Sequence, residues 1–328
     1  MKTTIGVTGA TGHVGANLVR MLIEQGFQVR ALLRNPSETH PKIPLEIVIG
    51  DLLDVDSLKH FCQGIEVVIH TAAVISIGDQ PAESVYNTNV TGTKNLIEAC
   101  RHEGVRRLIH FSSVDALITD CNDEIVDEET PLDVNSGQIY KRTKALGEQI
   151  ALAAASDDFE VIVLAPSAII GPYDFKTSLI GKMITRMYLG QLPVLVPGGY
   201  FWVDVRDVCQ AAINAIHLGA SGEKYLVIGQ WASLVEIAGL VQIHTSKKVF
   251  VGMVPFWLAY LGVPFIKAWT ALSKTQPLYT HDSLYILQKG CRNLSSAKAT
   301  RVFGFNPRPL EETVTETIHW FKQNNYLV

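Results

Sequence analysis

The glycine-rich stretch over residues 8–15, TGATGHVG, constrains the fold more than any other part of the chain. It follows a short apolar run, 5–7, and leads into a segment with helical spacing of apolar residues. Gly9 suits a tight turn, Gly12 lets the backbone approach a phosphate, and Gly15 lets the helix pack on the strand. Three glycines also occur in plain turns, but the place directly after a first strand favours a dinucleotide site whose pyrophosphate meets the helix start.

Strand-like runs recur along the chain with helical patterns between most of them. The runs are 4–7, 29–33, 46–49, 67–70, 108–111, 161–164 and 224–228. This alternation predicts an α/β fold with a doubly wound parallel sheet of the Rossmann type. We interpret residues 1–170 and 200–230 as the dinucleotide-binding domain. Residues 171–199 and 231–328 then form a smaller, interleaved, mostly helical substrate-binding portion.

Composition excludes several classes of protein. With 328 residues, 47% of them hydrophobic, the chain can bury a large core. A net charge of −4 without Lys/Arg clusters argues against nucleic acid as a partner, because phosphate backbones require a basic face. No long apolar signal segment is present at the N-terminus. The cysteines, Cys62, Cys100, Cys121, Cys209 and Cys291, are scattered without CxxC spacing, which indicates neither a disulfide framework nor a metal site and favours a reducing cytoplasm.

The second predicted strand is followed by Arg34, where a dinucleotide fold chooses between NAD and NADP. An acidic residue would bind the ribose 2′-hydroxyl, whereas a guanidinium pairs with a 2′-phosphate. Arg34 therefore predicts NADP(H) rather than NAD(H). A solvated arginine at a strand end is the plain alternative, and Arg30 is a weaker competitor for the role, since strand alternation turns it toward one face of the sheet.

Two further segments follow strands at the predicted cofactor edge. Asp51 and Leu52 follow the third strand and could hold the adenine, although a lone Asp there is also typical of a helix cap. Thr71, Ala72 and Ala73 follow the fourth strand, and their small side chains leave room for a cofactor or simply form a tight loop.

A candidate catalytic set follows the fifth strand. Ser113 comes just after that strand, and Tyr140 and Lys144, four residues apart, share one face of the next predicted helix. A phenol with a pKa of about 10 is a poor acid–base catalyst at neutral pH unless a cation favours the phenolate, and Lys144 can be that cation. The Ser113 hydroxyl could then polarise a substrate oxygen while Tyr140 moves its proton.

In this order along the chain, these motifs resemble those of the extended branch of the short-chain dehydrogenase/reductase superfamily, and the resemblance covers nearly the whole sequence. Residues 8–15 match its TGxxGxxG motif, 89–93 match NVxGT, and the post-strand Ser and the Tyr–Lys pair match its Ser and YxxxK. The resemblance implies that Asn89 is a fourth catalytic residue, which supports Lys144 through a water. It also implies that 166–172 is similar to the RPxxxYGP element beside nicotinamide.

Motifs and resemblance together give the predicted cofactor-binding residues, and they predict no metal site. These residues are Gly9, Thr11, Gly12, His13, Val14, Gly15, Arg34, Asp51, Leu52, Thr71, Ala72, Ala73, Tyr140, Lys144, Pro166, Ser167 and Ile169. Within the branch, the chain is most similar to bacterial members named for dihydroflavonol reductases and 3β-hydroxysteroid dehydrogenases. Ile118 stands where plant flavonoid reductases have a polar residue and cannot hydrogen-bond flavonoid hydroxyls, which argues against a flavonoid substrate.

We therefore expect an NADP(H)-dependent reductase or dehydrogenase that acts on the ketone, aldehyde or alcohol of a fairly apolar small molecule. A nucleotide-sugar epimerase or dehydratase with tightly bound NAD(P) is the alternative. Between residues 173 and 200 the basic residues are only Lys176, Lys182 and Arg186, so this stretch does not call for a diphosphate. A cofactor-binding protein without catalysis is the third possibility, which the Ser–Tyr–Lys set disfavours.

Two expectations concern surfaces. A homodimer is expected, as in relatives, in which helices over about 84–102 and 136–155 pair with their copies; Leu96, Ala99, Cys100, Ala145, Ile150 and Ala153 offer apolar positions for it. The apolar stretch 249–272 is expected to form two short helices, around 256–261 and 265–272, because Pro255, Gly262 and Pro264 interrupt it. They would form a lid with Phe256, Trp257, Tyr260 and Trp269 lining a pocket. Core helices without substrate contact are the alternative, and a membrane contact is not expected.

Overall fold

In the part of the chain that the structure describes, the strands form one large sheet and two small ones. The computed structural model describes residues 3–35, 45–77, 80–119, 125–192, 194–273 and 279–327, with the backbone alone over 267–273. The strands are β1 (Thr4–Thr8), β2 (Gln28–Leu33), β3 (Glu46–Ile49), β4 (Val67–His70), β5 (Arg107–Phe111), β6 (Glu160–Pro166), β7 (Ala168–Ile170), β8 (Val194–Leu195), β9 (Gly199–Asp204), β10 (Glu223–Val227), β11 (Gln230–Ser233) and β12 (Gly252–Met253).

The large sheet confirms the predicted doubly wound α/β fold. In the described residues it has seven parallel strands in the order β10-β6-β5-β4-β1-β2-β3. The strands β4 and β5 are buried at every residue, which explains their nearly continuous apolar sequence. The chain winds outward in both directions from β1 and β4, so the loops after these two strands diverge and leave a crevice at the carboxyl edge of the sheet.

Helices cover both faces of this sheet. They are α1 (His13–Glu24), α2 (Val55–Cys62), α3 (Ala82–Tyr86), α4 (Gly92–His102), α5 (Ile139–Ala153), α6 (Leu179–Tyr188), α7 (Val205–Asn214), α8 (Leu234–Gln242), α9 (Phe256–Ser273), α10 (His281–Lys289), α11 (Ala297–Phe303) and α12 (Leu310–Gln323). On one face Leu18 of α1 and Val208 of α7 join one core cluster, and on the other Leu58 of α2 and Leu96 of α4 join a second.

The small sheets and the helices around them have a core of their own. In the described residues, a three-stranded sheet has the order β11-β9-β7, and β8 pairs with β12. Ile184 of α6, Ile237 of α8 and Val314 of α12 pack together in this third cluster. Strand β9 belongs to the small sheet and runs directly into α7, which packs on the large one, so the two parts of the chain are interleaved at this point.

The two short helices expected within residues 249–272 are one helix in the structure. The stretch 249–272 does not break at Pro264, since α9 is one helix over Phe256–Ser273. Packing of Phe256, Tyr260 and Val263 against the third cluster offsets the hydrogen bond that Pro264 cannot make. None of the helices in the described ranges combines the length and apolar character that crossing a bilayer requires.

The apolar positions offered for a dimer interface are mostly used inside the chain. Leu96, Ala99, Cys100 and Ala145 are at most 1% exposed, so they belong to the core of one molecule. The homodimer stays a prediction without that support. The cysteines Cys62, Cys100 and Cys209 are free, whereas Cys291 is disulfide-bonded, a pairing that the scattered spacing did not indicate.

Candidate active site

The glycine turn after β1 has the close contacts that a phosphate cradle requires. Gly9 has a φ of +73°, and a Cβ atom there would lie 2.6 Å from the Ala72 nitrogen. A Cβ atom on Gly15 would lie 2.1 Å from the Gly9 oxygen. Gly12 is the N-cap of α1 and has no side chain to satisfy the first N–H groups of the helix. These N–H groups are therefore available to an anion such as a pyrophosphate.

The other residues of the turn have distinct surroundings. The ring of His13 lies with Nε2 at 3.1 Å from the carbonyl oxygens of both Gly171 and Pro172, so it joins α1 to the segment after β7. Thr11 is half-buried and accepts a hydrogen bond from the Lys176 Nζ at 2.9 Å. Val14 is half-buried against the first core cluster. A lysine thus lies at the mouth of the turn, a position that the sequence motifs did not indicate.

The two arginines of β2 and the residue after it, Arg30 and Arg34, have different surroundings. Arg34 follows β2 and is exposed. Arg30 instead pairs with Glu46 at 2.9 Å and donates to the Phe61 oxygen at 3.0 Å. Arg30 is therefore engaged in holding the fold together, and Arg34 is the one whose guanidinium faces solvent at the sheet edge.

The residues after β3 lie at the same end. Asp51 accepts a hydrogen bond from the Leu53 nitrogen at 2.9 Å, which is the local turn expected of an Asp in this position. Leu52 is 8% exposed and packs closely on the start of α4, where a Cβ on Gly92 would lie 2.8 Å from the Leu52 Cβ.

The loop after β4 lies against the glycine turn. Thr71 donates to the Thr8 oxygen from its hydroxyl at 2.7 Å, and Ala72 and Ala73 follow with half-buried small side chains. On the other side of the crevice, Pro166 ends β6 and Ser167 is 6% exposed. The half-buried Ile169 in β7 completes the predicted cofactor set.

Asn89 lies in a π-helical turn over Asn87–Thr91, the kind of irregular turn that is frequent at functional sites. Its amide nitrogen donates to the Val74 oxygen at 3.0 Å and to the Thr143 hydroxyl at 3.1 Å, and its oxygen accepts from the Val74 nitrogen at 2.8 Å. Asn89 therefore joins the loop after β4 to α5 next to Lys144. It contacts the neighbour of Lys144 in the sequence rather than Lys144 itself.

Ser113, Tyr140 and Lys144 meet at the carboxyl end of β5. The Ser113 hydroxyl caps a short 3₁₀ turn by accepting from the Asp115 nitrogen at 3.1 Å. Tyr140 and Lys144 are one turn apart on α5, and the Lys144 Nζ donates to the Phe111 oxygen at 2.5 Å. Burial raises the pKa of Tyr140, and a side-chain hydrogen bond with Ser113 opposes this, so the two hydroxyls lie within hydrogen-bonding reach of each other.

The net electrostatics of the three residues favour a protonated Tyr140. Burial, followed by the Asp115 carboxylate, raises the pKa of Tyr140 and outweighs Ser113. Burial also lowers the pKa of Lys144 to about 8, against the opposing effect of Glu148. At neutral pH, Tyr140 is therefore a phenol with a proton to donate, next to a lysine that is mostly charged.

A cavity lies between the start of α5 and helices α9 and α10, and neither Ser113 nor Tyr140 is among its lining residues. It has a volume of ≈ 430 Å³ and includes, from the region around Tyr140, Ile118, Gln138 and Lys141, and from α9 and α10, Tyr260, His281 and Tyr285. Of the aromatic residues expected to line a pocket, Tyr260 does so. Trp257 is 64% exposed and does not line this cavity, Phe256 packs against the third core cluster, and the Trp269 side chain lies outside the described ones.

Comparisons with known proteins agree with this geometry. The model of the NAD dependent epimerase/dehydratase family matches residues 5–229. The chain is 31% identical to sterol demethylase protein B of Methylococcus capsulatus, over 98% of this chain and 99% of that one. It is 32% identical to a putative dihydroflavonol 4-reductase of Synechocystis, over 98% and 95% of the two chains. The crystal structure of gox2253 has a TM-score of 0.84 at 30% identity, with all of both chains covered.

Proposed function

Because the chain belongs to the NAD dependent epimerase/dehydratase family, within the extended short-chain dehydrogenases/reductases, we propose that it is an NADP(H)-dependent oxidoreductase. It reduces a ketone or aldehyde of a fairly apolar small molecule, or oxidises the corresponding alcohol. The observation that carries this proposal is the meeting of Ser113, Tyr140 and Lys144 beside a glycine cradle that a Cβ atom would fill. Several relatives are named as reductases or dehydrogenases, including the dihydroflavonol reductase and a mycobacterial 3β-hydroxysteroid dehydrogenase/isomerase.

The three residues perform the proton chemistry of carbonyl reduction. Ser113 donates a hydrogen bond to the carbonyl oxygen, and Tyr140 gives that oxygen its proton as negative charge develops. Lys144, charged at neutral pH, compensates the phenolate that Tyr140 becomes. A bound reduced nicotinamide supplies the hydride. The raised pKa of Tyr140 keeps the phenol protonated in the protein alone, which favours the reductive direction.

Two cations support NADP(H) at opposite ends of the crevice. Arg34, exposed after β2, can pair with a 2′-phosphate and stack on adenine. Lys176, held at the glycine turn by its hydrogen bond to Thr11, adds a positive charge near the pyrophosphate. The turn itself supplies the N–H groups from the start of α1.

The cavity between the start of α5 and helices α9 and α10 offers few basic groups to a diphosphate. Ile118, Tyr260 and Tyr285 give it apolar surface. The lysine on its wall, Lys141 of α5, is already paired with Asp133 at 3.3 Å. A nucleotide sugar would need basic groups free to bind two phosphates, so we favour a carbonyl compound with a ring or chain of apolar carbons.

The test is a screen of purified protein with NADPH or NADH against steroid ketones, aromatic aldehydes, dihydroflavonols and UDP-sugars. We expect ketone- or aldehyde-dependent oxidation of NADPH, absent in Tyr140→Phe. Interconversion of a UDP-sugar without net cofactor oxidation, by protein that retains NAD, would instead establish the epimerase alternative. Binding of NADPH with no conversion of any compound would favour a cofactor-binding protein.

A further inference from the structure

A layer of buried polar side chains lies beneath Lys144, and the proposed reaction does not use it. We define this buried layer as His70, His110, Ser112 and Glu148, each at most 5% exposed, together with Lys224. The layer comes from β4, β5, α5 and β10, so it extends from the middle of the large sheet to its edge strand β10. Buried charges are costly unless they are paired, and a charged carboxylate at this depth therefore requires an explanation.

We propose, on the basis of the function inferred above, that Glu148 is a positioning residue that keeps Lys144 protonated and holds the serine turn against α5. Glu148 lies one helical turn after Lys144 on the same face of α5. Its Oε2 accepts a hydrogen bond from the hydroxyl of Ser112, the residue before Ser113, at 2.5 Å. One carboxylate thus acts both on the cation and on the strand end that carries the proposed hydrogen-bond donor.

Glu148 is shared between two lysines. Its Oε1 lies 3.6 Å from the Nζ of Lys224, which also donates to the Thr130 oxygen at 3.0 Å. Burial raises the pKa of Glu148, while Ser112, Lys224 and Lys144 act to lower it. Glu148 is therefore paired with Lys224 and acts on Lys144 from one helical turn away, so removing Lys224 takes away a group that keeps the carboxylate charged.

The remaining titratable groups that act on Lys144 are neutral histidines. His70 and His110 are tilted rings 5.3 Å apart, and burial first, then Lys144, lowers the pKa of both, that of His70 to about 3. The Phe111 carbonyl accepts from Lys144 but has no net charge. Glu148 is accordingly the group that raises the pKa of Lys144 against burial.

The test compares three variants that separate charge from position. Glu148→Gln keeps the size and an oxygen that accepts from Ser112, but it removes the charge. Ser112→Ala keeps the charge and removes the hydrogen bond. Lys224→Met frees Glu148 from its second partner. Thermal melting and NADPH affinity are measured for each variant, so that a misfolded protein is recognised.

The first readout is the pH profile of carbonyl reduction. In Glu148→Gln the loss of kcat/KM at alkaline pH should begin about one pH unit lower, since an opposite charge nearby shifts a pKa by about that much or more. In Lys224→Met this loss should also begin at a lower pH, by less than in Glu148→Gln, because Glu148 loses a cation that keeps its carboxylate charged. In Ser112→Ala the rate should fall at every pH, and the pH at which kcat/KM begins to decline should not change. Equal loss at every pH in Glu148→Gln would show a merely structural role and overturn the proposal.

The second readout does not depend on turnover. The Nζ signal of Lys144, assigned through Lys144→Arg in ¹⁵N-lysine-labelled protein, is titrated by NMR without cofactor. A midpoint in Glu148→Gln that is lower by about one unit supports the proposal, and an unchanged midpoint overturns it. This titration tests the effect of Glu148 on Lys144 even if the unmodified protein reduces no carbonyl compound. In that case the proposed function would fail while the role of Glu148 is still decided by the titration.

Discussion

The carboxyl edge of the large sheet and the wall formed by α9 and α10 differ in their exposure to solvent. At the sheet edge Lys144 and Asn89 are at most 5% exposed and hydrogen-bonded to backbone or side chains. On α9, apolar side chains face solvent, with Leu261 at 62% and Phe265 at 78% exposed. One region is a dry, densely bonded site, and the other an open apolar surface.

From this difference we expect the first region to determine turnover and the second to determine substrate affinity. Acid–base chemistry requires groups that are fixed in place and shielded from water, because the electrostatic effects of Lys144, Asp115 and Glu148 would be screened in an open site. Choice of substrate requires shape and apolar surface, which Tyr260 and its neighbours on the second region can supply. Variants in the first region should therefore change turnover and cofactor binding, and variants in the second should change substrate affinity.

The largest expected change in turnover is at the buried carboxyl edge of the large sheet. Tyr140→Phe should lower turnover by about 10³-fold, because it removes the transferable proton and little else. NADPH affinity, measured by calorimetric titration, should stay nearly unchanged. The matched control is Tyr285→Phe on the cavity wall, which should keep its turnover. A Tyr140→Phe protein that keeps most of its activity would contradict the proposed role of Tyr140 as proton donor. It would also contradict the proposed difference between the two regions.

A smaller effect is expected at the adenine end. Arg34→Ala should weaken NADP binding by about 10- to 100-fold, since a charged hydrogen bond contributes about 1.5–3 kcal/mol, and should leave NAD binding unaltered. Arg30→Ala is the control, because Arg30 is occupied by Glu46 and the Phe61 oxygen and should affect stability instead. Equal affinities of the unmodified protein for NADP and NAD would refute the preference.

Acid should destabilise the dry region through its histidines. The pKa of His70 is about 3 when folded, below its ordinary value of 6.5, so the unfolded chain binds more protons as the pH falls below that value. Stability is therefore complete above about pH 6.5 and should decrease by about 2 kcal/mol for His70 alone by pH 5. Urea unfolding at pH 7 and pH 5 measures this loss. His110→Phe should reduce it, whereas His319→Asn, at an exposed site, should not.

The smallest effect is expected on the open side. Tyr260→Ala should raise KM for the substrate by about fivefold, corresponding to about 1 kcal/mol of lost contact, with NADPH affinity unchanged. Trp257→Ala is the control, since that side chain faces solvent and does not line the cavity. A rise in KM for Trp257→Ala and none for Tyr260→Ala would mean that the substrate lies on the outer face of α9. The proposed role of the cavity in substrate binding would then be wrong.

Much of the sheet could be predicted because its strands are buried on both faces. The runs 4–7, 67–70 and 108–111 coincide with strands within one residue, since a parallel strand covered by helices is largely apolar. Short-range spacing likewise placed Tyr140 and Lys144 on one helix. The lid was predicted less well, because the sequence shows Pro264 but not the core packing that carries α9 past it.

The sequence by itself determined the parallel α/β fold, the glycine turn and the order of Ser113, Tyr140 and Lys144, because each depends on residues close together in the chain. Only the tertiary structure decided which charges surround them. Lys176 meets Thr11 across 165 positions, and Lys224 meets Glu148 across the sheet. Such pairs leave no periodic pattern in the sequence, since their geometry arises only when distant strands and helices pack together and exclude water.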